Sequence, residues 1–70
     1  MKIEHKRAQD LQISVVDNEI IRRYMIAIQA GQSVDPVMVL GSSLPLRVKD
    51  GNHRAAAYKL LGLDVPTILI

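Results

Sequence analysis

The sequence predicts an α+β domain in which a small mixed sheet of about four strands packs against two main helices. Three observations carry this reading. Short runs with alternating or continuous apolar character fall at 11–15, 37–40, 46–49 and 65–70, and two stretches between them show helical spacing, each closed by a glycine. The chain has 70 residues, which leaves room for one core. A domain of this size buries only about 60% of the surface its unfolded chain exposes, so the core has to be efficient. It also has to be aliphatic: hydrophobic residues make up 49% of the chain, but Trp and Phe are absent and the only aromatics are Tyr24 and Tyr58.

The elements follow in order. Residues 1–10 are polar, with Ile3 and Ala8 as the only buriable side chains after the start, and are expected to form an N-terminal arm ahead of a single domain at 11–70. Leu11, Ile13 and Val15 alternate with Gln12 and Ser14, as in a strand with one buried face. Val16 leads into a helix whose start is marked by Asp17 and Asn18 as N-cap residues and by Glu19, a carboxylate that the helix dipole favours in the first turn. Ile21, Tyr24, Met25 and Ile28 form the apolar stripe of this helix and are expected in the core rather than in a partner groove. Gly31 ends it.

Asp35-Pro36 closes the connecting loop, because a residue before proline is pushed out of the helical region. Val37 to Leu40 is continuously apolar, the pattern of a strand covered on both faces. After a turn at 41–45, Leu46 to Lys49 alternates as the antiparallel return strand of a hairpin. A second helix starts at Asn52 or His53, with Ala56, Ala57, Leu60 and Leu61 expected on its buried side, and stops at Gly62. Val65 to Ile70 is the last strand, with Pro66 near its beginning, where a missing amide donor is tolerated.

Nine Lys and Arg against seven Asp and Glu give a net charge of +2, an excess too small and too dispersed to point to nucleic acid. No run reaches the roughly 18 apolar residues of a membrane span, and the start lacks the apolar core of a signal peptide. With no cysteine there is neither a disulfide staple, a thiolate metal site nor a cysteine nucleophile. These features fit a cytoplasmic protein with no membrane partner.

The chemistry concentrates in Asp50-Gly51-Asn52-His53-Arg54, where a strand hands over to a helix. The first amides of a helix lack intrahelical acceptors and lie at the positive end of its dipole, so they suit an anion. Gly51 lets a phosphate approach, Arg54 can grip its oxygens, and His53 can donate a hydrogen bond or relay a proton. Each residue also has a plain structural reading: Asp-Gly is a common turn and Asn52 a good N-cap. An arginine in a first turn opposes the dipole, however, and that mismatch favours an anionic ligand.

The run Asp50-Gly51-Asn52-His53-Arg54-Ala55-Ala56-Ala57-Tyr58-Lys59-Leu60-Leu61-Gly62, followed by Val65-Pro66-Thr67-Ile68, resembles the ParB/sulfiredoxin superfamily in its DGxHR form. The similarity extends over about residues 11–70, including the acid-capped first helix, its terminal glycine and the Pro-strand that follows. The resemblance implies a nucleotide-phosphate site at this loop, with Gly51, Asn52, His53 and Arg54 binding phosphate and with Asp50 and His53 as the candidate catalytic pair. Sulfiredoxins carry the reactive cysteine directly before His-Arg; Asn52 stands there in this chain, which excludes sulfinic acid reduction. The partition proteins read G-E-R-R in the loop, so a preference for CTP does not carry over, and their DNA-reading domains lie beyond this module.

The leading expectation is therefore a nucleoside triphosphate-binding domain, compatible with slow hydrolysis or phosphotransfer. No intrinsic cofactor or metal is expected, although Mg²⁺ could arrive with a triphosphate, held mainly by phosphate oxygens. Glu4, His5 and Asp10 are the one further group that could supply a metal or general-base cluster, since the family's phosphotransfer members draw a carboxylate from before the first helix. Two other readings stand beside this one: a DNA-associated module or nuclease, and a non-catalytic protein-interaction domain. A homodimer is compatible with the open sheet edge that so small a domain leaves.

Overall fold

A computed structural model describes residues 2–15 and 17–70 of the chain; Met1 and Val16, the latter read as the lead into the first helix, lie outside the described residues. The strands are β1 (Glu4–Lys6), β2 (Leu11–Gln12), β3 (Val37–Leu40), β4 (Leu46–Asp50) and β5 (Val65–Leu69). The helices are α1 (Asn18–Gln29) and α2 (Asn52–Leu60), with a single 3-10 turn at Ala8–Asp10. One sheet contains all five strands in the order β1-β5-β3-β4-β2. The β3–β4 hairpin and the β1–β5 pair are antiparallel, while β3–β5 and β2–β4 are parallel. The sheet is thus mixed, as expected, but has one strand more than about four.

The additional strand comes from the segment read as a polar arm. Glu4 pairs with Thr67 and Lys6 with Val65, and the Thr67 hydroxyl donates to the Glu4 carbonyl at 2.8 Å. That bond satisfies a buried polar side chain of the core, since Thr67 is 1% exposed. A half-exposed edge strand needs few apolar residues, so the hydrophobic pattern does not announce it. The strand expected over 11–15 is correspondingly shorter. Only Leu11 and Gln12 pair, with Leu46 and Arg47, and then Ile13 and Val15 leave the sheet to pack beneath α1.

The helices form two layers on one side of the sheet, and α2 is the inner one. Ala55 joins Leu11, Val37, Val39, Leu46, Val48 and Val65 in the sheet cluster. Ala56 and Ala57 instead pack with Ile21, and with Tyr24, Met25 and Ile28 at its margin, beneath α1. A helix covered on both sides needs small residues on both sides, because interaxial spacing shrinks with side-chain size. This corrects the expected buried side of α2: Ala55, Ala56 and Ala57 are all buried, whereas Leu60 is 65% exposed and Leu61 half-buried. The opposite face of the sheet carries no helix. Met38 and Leu40, expected to be covered on both faces, lie half-buried there beside the exposed Arg47 and Lys49, while only Val37 and Val39 face the helices.

The start of α1 forms as the sequence implies. Asp17 Oδ1 accepts from the amides of Glu19 at 3.0 Å and Ile20 at 3.2 Å, which satisfies two of the orphan donors. Replacing Asp17 with alanine is expected to lower stability by about 1 kcal/mol, read as a lower urea midpoint with an unchanged m-value. At the other end, Gln32 N–H donates to Ala27 and Gly31 N–H to Ile28, the paired bonds of a Schellman motif, with Gly31 at φ +73°. Leu63 to Tyr58 and Gly62 to Lys59 repeat the motif after α2.

Candidate functional site

The two helix starts differ, and the difference marks α2 as the candidate site. α1 begins with a side-chain cap and an acidic residue; α2 has neither, and its N-cap is Gly51 in the left-handed region at φ +98°, ψ +29°. The first bond of the α2 ladder runs from Ala55 N–H to Gly51 carbonyl at 2.8 Å, so the amides of Asn52, His53 and Arg54 precede any intrahelical acceptor. No acidic residue in the first turn opposes their combined positive potential.

A pocket of about 270 Å³ opens over this end of α2, lined by Asp50, Gly51, Asn52, His53 and Arg54 together with Ile20 and Tyr24 of α1. All five residues of the sequence motif therefore border one cavity. Ile20 and Tyr24 are the members that the sequence did not assign to the site. Tyr24 reads as part of the apolar stripe, and it does pack against the α1–α2 core; only the docking of α1 on α2 also places it at the pocket rim. A larger hollow of about 390 Å³ runs along α1 past Ile21, Met25, Ile26 and Leu60. It has no unpartnered buried polar atom among the described residues, and so offers no comparable means of fixing a ligand.

Within the pocket the side chains have distinct positions. Asn52 is the first helical residue rather than the cap, and its Oδ1 accepts the Ser14 amide at 2.8 Å. That bond ties the segment leading to α1 onto the start of α2. Arg54 folds back beneath Gly51. Its side chain is 15% exposed, and one terminal nitrogen lies 3.5 Å from the Pro36 carbonyl and 3.6 Å from Asp50 Oδ2. Both contacts are at or beyond the outer limit of hydrogen bonding, so the guanidinium is held loosely. The Asp50 side chain is 70% exposed, and screening by water leaves such a pair weak.

Two nitrogens are buried without a hydrogen-bond partner among the described residues: His53 Nε2 and Arg54 Nε. Unsatisfied buried polar atoms are costly and uncommon. Both belong to consecutive residues lining one pocket, and an oxygen-rich ligand is the kind of group that would satisfy them. Gly51 is what permits the arrangement, since a Cβ on it would stand 2.7 Å from an Arg54 terminal nitrogen and 3.0 Å from Nε.

The further candidate group, Glu4, His5 and Asp10, does not assemble. Glu4 and His5 are neighbours in β1 and so point to opposite faces of the sheet. Glu4 contacts Lys6 at 3.2 Å and Asp10 lies 3.8 Å from Arg7. Among the described residues no three His, Cys, Asp or Glu side chains come together as a metal-binding group, and no helix is long and apolar enough to cross a membrane.

No protein-family model and no curated protein matches the sequence. Among solved structures, sulfiredoxin from Arabidopsis thaliana superposes with a TM-score of 0.83 over 100% of this chain and 85% of that one, at 17% sequence identity. At that identity the likeness is one of backbone architecture. The mixed sheet, the two helices and their order in the chain place this protein in the ParB/sulfiredoxin fold.

Proposed function

We propose that the pocket at the start of α2 binds the phosphates of a nucleoside triphosphate. The observation that supports this most directly is the pair of unpartnered buried nitrogens, His53 Nε2 and Arg54 Nε, beside an uncapped helix N-terminus. Three kinds of donor converge there: backbone amides at residues 52–54, an imidazole and a guanidinium. Phosphate oxygens accept from all three, and a cation this close to the positive end of a helix becomes favourable once a dianion lies between them. Tyr24 and Ile20 give the pocket an apolar wall against which a base or ribose can rest.

Asp50 has two roles in this reading. It stands 3.6 Å from Arg54, in the place of a substitute anion. With ligand bound, the freed carboxylate is available to Mg²⁺ carried in by the phosphates, where it can orient an attacking water, and His53 can shuttle the proton. Slow hydrolysis or phosphoryl transfer is the activity this pair would supply. Asn52 occupies the position at which a sulfiredoxin-type reaction requires a thiolate, so that chemistry is outside the reading.

Calorimetric titration with ATP, CTP and GTP in the presence of Mg²⁺ tests the reading. At least one nucleotide is expected to bind, and Arg54→Gln to weaken it tenfold or more. If no nucleotide binds, or if Arg54→Gln leaves the affinity unchanged, the reading is wrong.

A further inference from the structure

The free edge of β1 is self-complementary. Its three residues, Glu4, His5 and Lys6, form the outermost strand of the sheet, paired on one side only, to β5. The direction of the backbone groups follows from two bonds. Ile70 N–H donates to the Val39 carbonyl, so even-numbered residues of β5 turn their backbone toward β3 and odd-numbered ones turn theirs toward β1. Val65 and Thr67 are therefore the residues that exchange hydrogen bonds with Lys6 and Glu4, in agreement with the Thr67 hydroxyl reaching the Glu4 carbonyl. His5, opposite Pro66, directs its own N–H and carbonyl outward, away from the sheet.

An antiparallel partner centred on His5 would then exchange two bonds with it, and among the described strands of this chain β1 itself is the one whose flanking charges match at both ends. Two-fold pairing sets Glu4 against Lys6 of the other copy, twice, and His5 against itself. Ile3, 51% exposed and on the same face as His5, falls opposite Arg7 of the second copy, whose backbone at φ −68°, ψ 141° is still extended. Charges on an edge strand normally repel a neighbouring edge. Here their order, acid-His-base, converts that protection into recognition of the strand's own inverted image.

We propose that two copies of this protein associate through β1, antiparallel about His5, to form a continuous ten-stranded sheet. The contact is short, so the dimer is a weak one that forms at high protein concentration. Sedimentation equilibrium and charge reversal test it. The wild-type chain is expected to dimerise reversibly. Glu4→Lys alone and Lys6→Glu alone should each weaken the dimer tenfold or more, because each replaces two attractions by two repulsions. Mixing the two single variants should restore a one-to-one dimer, and the double reversal Glu4→Lys, Lys6→Glu should dimerise as the wild type does. A contact elsewhere on the surface would not show this pattern. As a measurement that needs no variant, the His5 amide should gain protection from hydrogen exchange as wild-type concentration rises, since in the monomer it faces solvent. A chain that stays monomeric at millimolar concentration, or a dimer indifferent to both single reversals, overturns the proposal.

Discussion

Gly51→Ala is expected to lower stability by about 2 kcal/mol and to abolish ligand binding at the α2 pocket. Two effects add. At φ +98° any side chain meets backbone strain, and the new Cβ would lie 2.7 Å from an Arg54 nitrogen, 3.0 Å from Nε and 3.1 Å from Cζ. The guanidinium would have to leave the place where it now sits beneath the loop. Gly31→Ala provides the comparison: its φ is +73°, but nothing lies within 4 Å of the added carbon. That variant should lose about 1 kcal/mol from strain alone and retain full ligand affinity. Urea unfolding and calorimetry on both variants separate the terms. Equal losses of stability and equal affinities would show that the Gly51–Arg54 contact is unimportant.

Ala57→Leu is expected to destabilise the protein by about 3 kcal/mol, at the upper end of what overpacking costs. Ala57 is 0% exposed and lies where α2 is pressed against α1 by way of Ile21, with the sheet on the other side of the same helix. A helix on the surface could tilt outward to admit three further carbons; this one is bounded on both sides. A 70-residue domain has a total stability of roughly 4–10 kcal/mol, so the substitution should consume a large share of it and lower the melting temperature by well over 10 °C. Leu60→Ala is the control on the same helix. Leu60 is 65% exposed, and its truncation should change stability by less than about 0.5 kcal/mol. Thermal melts monitored by circular dichroism compare the two directly.

Both predictions turn on facts that the order of residues announces only in part. The three alanines are visible as small residues at the centre of a helix, but a helical stripe has one side, and so the sequence pointed to Ala56, Ala57, Leu60 and Leu61 as the buried set. Burial on two sides appears only once α1 stacks over α2. The same stacking explains Tyr24, which is legible as an apolar residue of α1 and becomes a wall of the pocket only through the packing of α1 on α2, two elements that are distant along the chain. β1 escaped the sequence reading because edge strands are specified by backbone pairing to a neighbour, here Val65 and Thr67, and not by their own hydrophobic pattern.

What the sequence determined by itself is the local chemistry: Asp17 as a cap, glycines at the ends of both helices, alternation at 46–49, and the grouping of Gly51, Asn52, His53 and Arg54 at a strand-to-helix junction. These are interactions among residues within a few positions of one another, and near-neighbour preferences suffice to fix them. Tertiary structure decided where the sheet ends, which faces of α2 are covered, and how the junction is used. Asn52 bonds to Ser14, Arg54 turns inward to Pro36, and two nitrogens are left buried and unpaired. Those outcomes depend on which distant segments come to lie beside the junction, and that is set by the burial of the whole core at once.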